Sequence, residues 1–94
     1  MDLVKGQKIW LPCEVKPGPF ADERLVRVNS TAGSWLGFVP DWALQQPISE
    51  GMTKILAVII EIHNSTITVQ FQGQSVTPGP FVDNASRAER FVAI

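Results

Sequence analysis

The sequence predicts an all-β protein, a small barrel of five to seven strands. Three observations carry this. Apolar residues alternate with polar ones along several short segments, the segments are rich in β-branched residues, and Gly, Pro and Asn punctuate them at short intervals. The chain has 94 residues, of which 45% are hydrophobic and 18% charged, so one domain over residues 1–94 can bury a core without disulfides or metal.

The first strand places Ile9, Leu11, Cys13 and Val15 on one face and Lys8, Trp10, Pro12 and Glu14 on the other. Pro12 has no amide donor, which predicts an edge or a bend. Leu25 to Val28 forms a second strand. Trp35 to Val39 forms a third, with Trp35, Gly37 and Val39 opposite Leu36 and Phe38. Lys54 to Ile62 is the most apolar and should be buried on both faces. Thr66 to Phe71 alternates most clearly, with Ile67, Val69 and Phe71 inward. Phe91 to Ile94 supplies a sixth strand. His63-Asn64-Ser65 and Ala32-Gly33-Ser34 read as hairpin turns. Lys16 to Pro19 and Thr77 to Pro80 read as ladder-breaking turns. Short helices are expected over Asp41 to Gln45 and Asn84 to Arg90, the second capped by Asp83.

A stretch recurs. Val15-Lys16-Pro17-Gly18-Pro19-Phe20-Ala21-Asp22 followed by Glu23-Arg24-Leu25-Val26 matches Val76-Thr77-Pro78-Gly79-Pro80-Phe81-Val82-Asp83 and, after five further residues, Glu89-Arg90-Phe91-Val92. This reads as an internal duplication. The plainer alternative is two strand–bend–strand elements that share turn chemistry.

Composition excludes several chemistries. Eight Lys and Arg against nine Asp and Glu give a net charge of −1, which disfavours a strongly cationic nucleic-acid binder. One cysteine, Cys13, and one histidine, His63, are too few for a Cys/His zinc site, and no metal or cofactor is expected. No glycine cluster opens a helix to cradle phosphate. Cys13 alternates with core positions and His63 falls in a turn, so neither reads as catalytic. Asp22, Glu23, Asp83 and Glu89 lie in sequence beside Arg24, Arg87 and Arg90, and arginines keep carboxylates ionised, which suits ion pairing better than proton transfer. The N-terminal residues MDLVKGQKIW lack an apolar run behind a basic start, and the longest apolar run, Ile55 to Ile60, is far short of the ~20 residues of a membrane helix. The expected compartment is the cytoplasm, with no membrane partner.

Residues 5–46 resemble part of an SH3-like barrel. Lys5-Gly6-Gln7-Lys8-Ile9-Trp10-Leu11 is similar to the strand of that family that begins Lys-Gly-Asp. Gly37-Phe38-Val39-Pro40-Asp41-Trp42-Ala43-Leu44 resembles its segment with a central proline that ends in one helical turn. The resemblance implies that Pro40 lines a groove for Pro-rich peptides. The family's tyrosine position falls on Ala43, however, with Trp42 one residue earlier, and its opening Ala-Leu-Tyr-Asp-Tyr strand and paired tryptophans are absent. The resemblance therefore implies the barrel more than the ligand. The second half resembles an OB-like or KOW-type barrel.

The expected function is non-catalytic binding of a protein partner or of a second copy. The expected surface is Trp10, Phe20, Pro40, Trp42 and Phe81, with Arg24 and Arg90 at its rim. The alternative is single-stranded nucleic acid stacked on Trp10 or Trp42, with Lys5, Lys8, Lys16, Arg24 and Arg27 tracking phosphates. A small oligomeric enzyme is a third and weaker alternative, because catalytic residue types are scarce.

Overall fold

A computed structural model describes residues 3–17, 23–30, 32–75 and 80–92. Its strands are β1 (Lys8–Lys16), β2 (Glu23–Ser30), β3 (Gly33–Pro40), β4 (Gly51–His63), β5 (Thr66–Phe71), β6 (Gln74–Ser75), β7 (Phe81–Asn84) and β8 (Glu89–Arg90). Two single-turn 3-10 helices, η1 (Asp41–Ala43) and η2 (Ala85–Arg87), follow β3 and β7. The sheet runs β6-β3-β2-β1-β4-β5-β7, antiparallel throughout, with β8 added to β1. It curls into a nearly closed six-stranded barrel of the SH3/OB-like kind.

Period-two alternation decides what is inside. Ile9, Leu11, Cys13 and Val15 of β1 meet Val26 and Val28 of β2, Ile55, Ala57 and Ile59 of β4, and Ile67 and Val69 of β5 in one core. Each large aliphatic side chain removed from water there contributes about 1.5–3 kcal/mol. Among the described residues no helix is long and apolar enough to cross a membrane.

Pro12 lies on β1, an inner strand of the sheet, at a point where β4 is its only ladder partner among the described residues. Phe91 N donates to Lys8 O at 3.4 Å on one side of β1, and Ile59 N donates to Gln7 O at 3.0 Å on the other. Alternation then turns the peptide groups of even-numbered residues toward β8 and β2. β8 pairs with Ile9 and Trp10, and β2 pairs from Glu14 onward. Pro12 falls at the changeover, where its missing N–H costs no ladder bond.

β4 is covered on both faces over part of its length. Leu56 points away from the main core and is nevertheless buried. It is the cross-strand neighbour of Trp10, whose ring lies 5.4 Å from that of Phe91. The segment after β8 thus roofs the outer face. Beyond a register shift between Ile59 and Glu61, residues 61–65 at the end of the β4–β5 hairpin are exposed, while Ile67 stays in the core. Asn64 makes the tip in the left-handed region, φ 56°, which asparagine tolerates better than other non-glycine residues.

Several expectations change. The two short strands β6 and β7 are not among the strands expected; they flank the turn expected over Thr77 to Pro80, most of which lies outside the described residues. The helix expected over Asp41 to Gln45 is a single 3-10 turn. The helix expected over Asn84 to Arg90 shortens to η2, and its cap is Asn84, whose Oδ1 accepts from Ser86 N at 2.9 Å, rather than Asp83. The last strand among the described residues is Glu89–Arg90, and Phe91 and Val92 follow it outside the ladder with β1; Ala93 and Ile94 lie outside the described residues. Most of the repeated Pro-Gly-Pro-Phe stretch lies outside the described residues.

Candidate functional site

The expected surface divides into three places. The first is the corner where β3 runs into η1. Trp42 is 64% exposed there. Its turn is fixed from both sides. Leu44 N donates to Asp41 O at 3.1 Å, Leu44 bridges to Ile55, and Gln45 N donates to Lys54 O at 2.8 Å. Arg24, on the neighbouring β2, donates from Nε to Ile48 O at 3.3 Å and lies 3.4 Å from Asp41 Oδ1. One guanidinium thus ties β2 to both the turn and the connector after it. Pro40, half-buried, ends β3 and supplies the extended φ of −72° that starts the turn.

The second place is the outer face of β1. Trp10 is half-buried there against Phe91, and Lys8 Nζ lies 5.8 Å from the Phe91 ring centroid. Arg90 is exposed on β8, opposite Ile9. The neighbouring Glu89 accepts from Lys54 Nζ, joining β8 to β4. That hydrogen bond, together with the charge of Lys54 and a bond from Gln45, holds the Glu89 carboxyl below its ordinary range against a smaller opposing effect of desolvation. A carboxyl depressed by folding stabilises the fold above its unfolded value and loses that contribution as pH falls through its folded value. Glu89→Gln is therefore expected to lower the melting temperature slightly at neutral pH. The gap to wild type should close as the pH is taken below 4.5, the carboxyl's unperturbed value, in a series of thermal melts.

The third place holds Phe81, which is 6% exposed and packs in the core beside Phe71, ring centroids 5.5 Å apart. It also lines a cavity at the barrel's seam. Phe20 and Asp22 lie outside the described residues.

Several acidic and basic residues among those described meet in pairs. Asp83 is buried, its Oδ1 accepts from Asn84 N at 2.7 Å, and Arg87 reaches the same oxygen at 3.5 Å. Arg87 also donates to Asn29 O, which pins η2 onto β2. Asp83 Oδ2 has no hydrogen-bond partner among the described residues. Of the basic residues proposed to follow phosphates, Lys16 lies 3.7 Å from Glu14, Arg24 is paired with Asp41, and Lys8 lies over Phe91. His63 is exposed at the hairpin and Cys13 is inside the core, on different parts of the molecule. No group of His, Cys, Asp and Glu among the described residues is arranged to hold a metal ion.

Sequence reasoning missed the exposed Met52 and the roof formed by Phe91 over Trp10. Met52 had a readable signal, since it faces the same way as Lys54 and Leu56 by alternation. The roof had none, because it joins segments some eighty residues apart in sequence. Comparison of the chain with protein-family models, with curated proteins and with solved structures finds no match.

Proposed function

We propose that this protein is a non-catalytic binding module that docks a protein surface, a partner's or a second copy's, on the corner built by Pro40, Trp42 and Arg24. The observation that carries this reading is the exposed indole of Trp42 on a turn hydrogen-bonded from both sides. An aromatic anchor held in place before binding loses little freedom on docking, and tryptophan and arginine dominate interface energetics. Nucleic acid is the weaker reading, because Lys8, Lys16 and Arg24, three of the five basic residues it calls on, already face acidic or aromatic groups of the same chain.

The test uses the intact chain and its Trp42→Ala variant, which alters no core contact. Both are used to capture proteins from nuclease-treated native extract, and both are run in sedimentation velocity over a range of concentrations. Removal of a central anchor costs about 2 kcal/mol or more, roughly 30-fold in affinity. The expected result is a nuclease-resistant protein, or a self-association, that the wild type shows and Trp42→Ala loses. Equal capture and equal association by the two chains would refute the reading, and so would a captured set that disappears entirely with nuclease.

A further inference from the structure

The barrel has an incomplete seam. β3 is laddered to β2 along its length and to β6 only at Gly37 and Phe38, while β7 is laddered to β5. Among the described residues β3 and β7 are not laddered to each other. At one end the gap is sealed by Ser30, whose Oγ donates to Val82 O at 2.8 Å. At the other end a cavity of about 320 Å³ remains.

The described side chains that line this cavity are mostly apolar and aromatic, with polar atoms exposed between them. Trp35, Phe71 and Phe81 form a run of tilted rings with centroids 4.6 Å and 5.5 Å apart, and Ile60, Val69 and Pro80 complete the wall among the described residues. Among the described residues that line it, Gln70 brings a polar side chain and none is charged. Trp35, Phe71 and Phe81 each sit on a backbone-paired position, opposite Val28, Ala57 and Val69. The floor is equally fixed. Gly73, at φ 131°, lets the chain pass so close to Phe38 that a Cβ there would lie 2.3 Å from its carbonyl oxygen. Walls held this way cannot readily collapse into the space they enclose.

We propose that this seam cavity is a binding site for a small neutral aromatic molecule of one or two fused rings. The size fits, since an apolar cavity of about 150 Å³ is enough to admit benzene. The chemistry fits as well. Ligand pockets are mostly apolar with a few polar groups that set orientation, and Gln70 offers a donor and an acceptor at this one. The rings favour edge-to-face and offset contacts with another ring. A charged ligand would give up its hydration with no opposite charge among the described lining residues to receive it. The site is separate from the Trp42 corner and does not depend on the function proposed for it.

The test is a titration of the intact chain with 2-naphthol, followed by two-dimensional amide NMR. Benzyltrimethylammonium and naphthalene-2-sulfonate serve as cationic and anionic counterparts. The expected result is saturable movement of the Gly73 and Phe81 amides and the Trp35 indole N–H, with a dissociation constant below about 1 mM. The charged probes should bind at least about 10-fold more weakly. Ile60→Trp, at the half-exposed mouth, should weaken 2-naphthol by about 10-fold or more, and Gln70→Trp repeats the occlusion from the exposed side of β5. Melting curves establish that each variant is folded, and Trp42→Ala should bind 2-naphthol as wild type does. No saturable movement, movement centred away from the cavity, charged probes binding as tightly, or folded mouth variants binding unchanged would each overturn the proposal.

Discussion

Gly73→Ala is expected to destabilise the protein by about 3 kcal/mol or more, a fall in melting temperature of roughly 12–24 °C for a domain of this size. Two costs combine. The residue holds φ 131°, a backbone conformation that side-chain-bearing residues rarely adopt. The added methyl would also lie 2.3 Å from Phe38 O and about 3.0 Å from Val39 Cγ1, and the first of these is backbone that β3 holds in place through β2. Gly33 separates the two costs. It has a similar φ of 143°, but a Cβ there meets nothing within 4 Å. Gly33→Ala should therefore cost only the conformational part, about 1–2 kcal/mol. Urea or thermal unfolding of the two variants side by side measures the difference. Equal losses would mean that β6 is not seated against Phe38 and Val39 as described.

The second large effect concerns a reagent rather than a mutation. Cys13 is buried between β1 and β4, and desolvation pushes its thiol up to about 12, outweighing a hydrogen bond with the Thr53 backbone that acts the other way. Only the thiolate attacks a disulfide reagent. Relative to the ordinary value of 9.0, that shift leaves roughly a thousandfold less thiolate at neutral pH. Steric burial adds to the protection. Labelling of the native chain by an aromatic disulfide should be at least about 1000-fold slower than labelling in denaturant. A native rate within about 10-fold of the denatured one would place Cys13 outside the core and undo the β1–β4 register.

Much of the barrel was legible because alternation is a local signal. Ile9 to Val15 and Ile67 to Phe71 declare their inward faces without reference to any other segment, and both are buried as read. The readings that changed depend on distant partners. Phe81-Val82-Asp83 was hidden by the prolines before it and by an aspartate at an inward position, where a strand pattern calls for an apolar residue. Arg24 reads as a rim cation from its neighbours, but its hydrogen bond runs to Ile48 O, 24 residues away. Trp42 reads as a candidate surface ring because it lies two residues after Pro40, where a strand ends, and it is exposed. Phe81 was not legible as a core ring, because the prolines before it break the strand pattern that would have given its face.

The changeover at Pro12 also bears on how the molecule is made. One edge of β1 is completed by two segments that the ribosome delivers at very different times. β2 emerges soon after β1, but the partner of Ile9 and Trp10 is Arg90 and Glu89. Until that segment appears, the early half of the edge and the indole of Trp10 are without their native partners, in a conformation open to pairing with another nascent chain. Contacts that span nearly the whole sequence also slow closure, which places folding in the millisecond-to-second range typical of small barrels. Truncation before residue 89 should accordingly yield a chain whose chief fault is aggregation rather than loss of its hairpins.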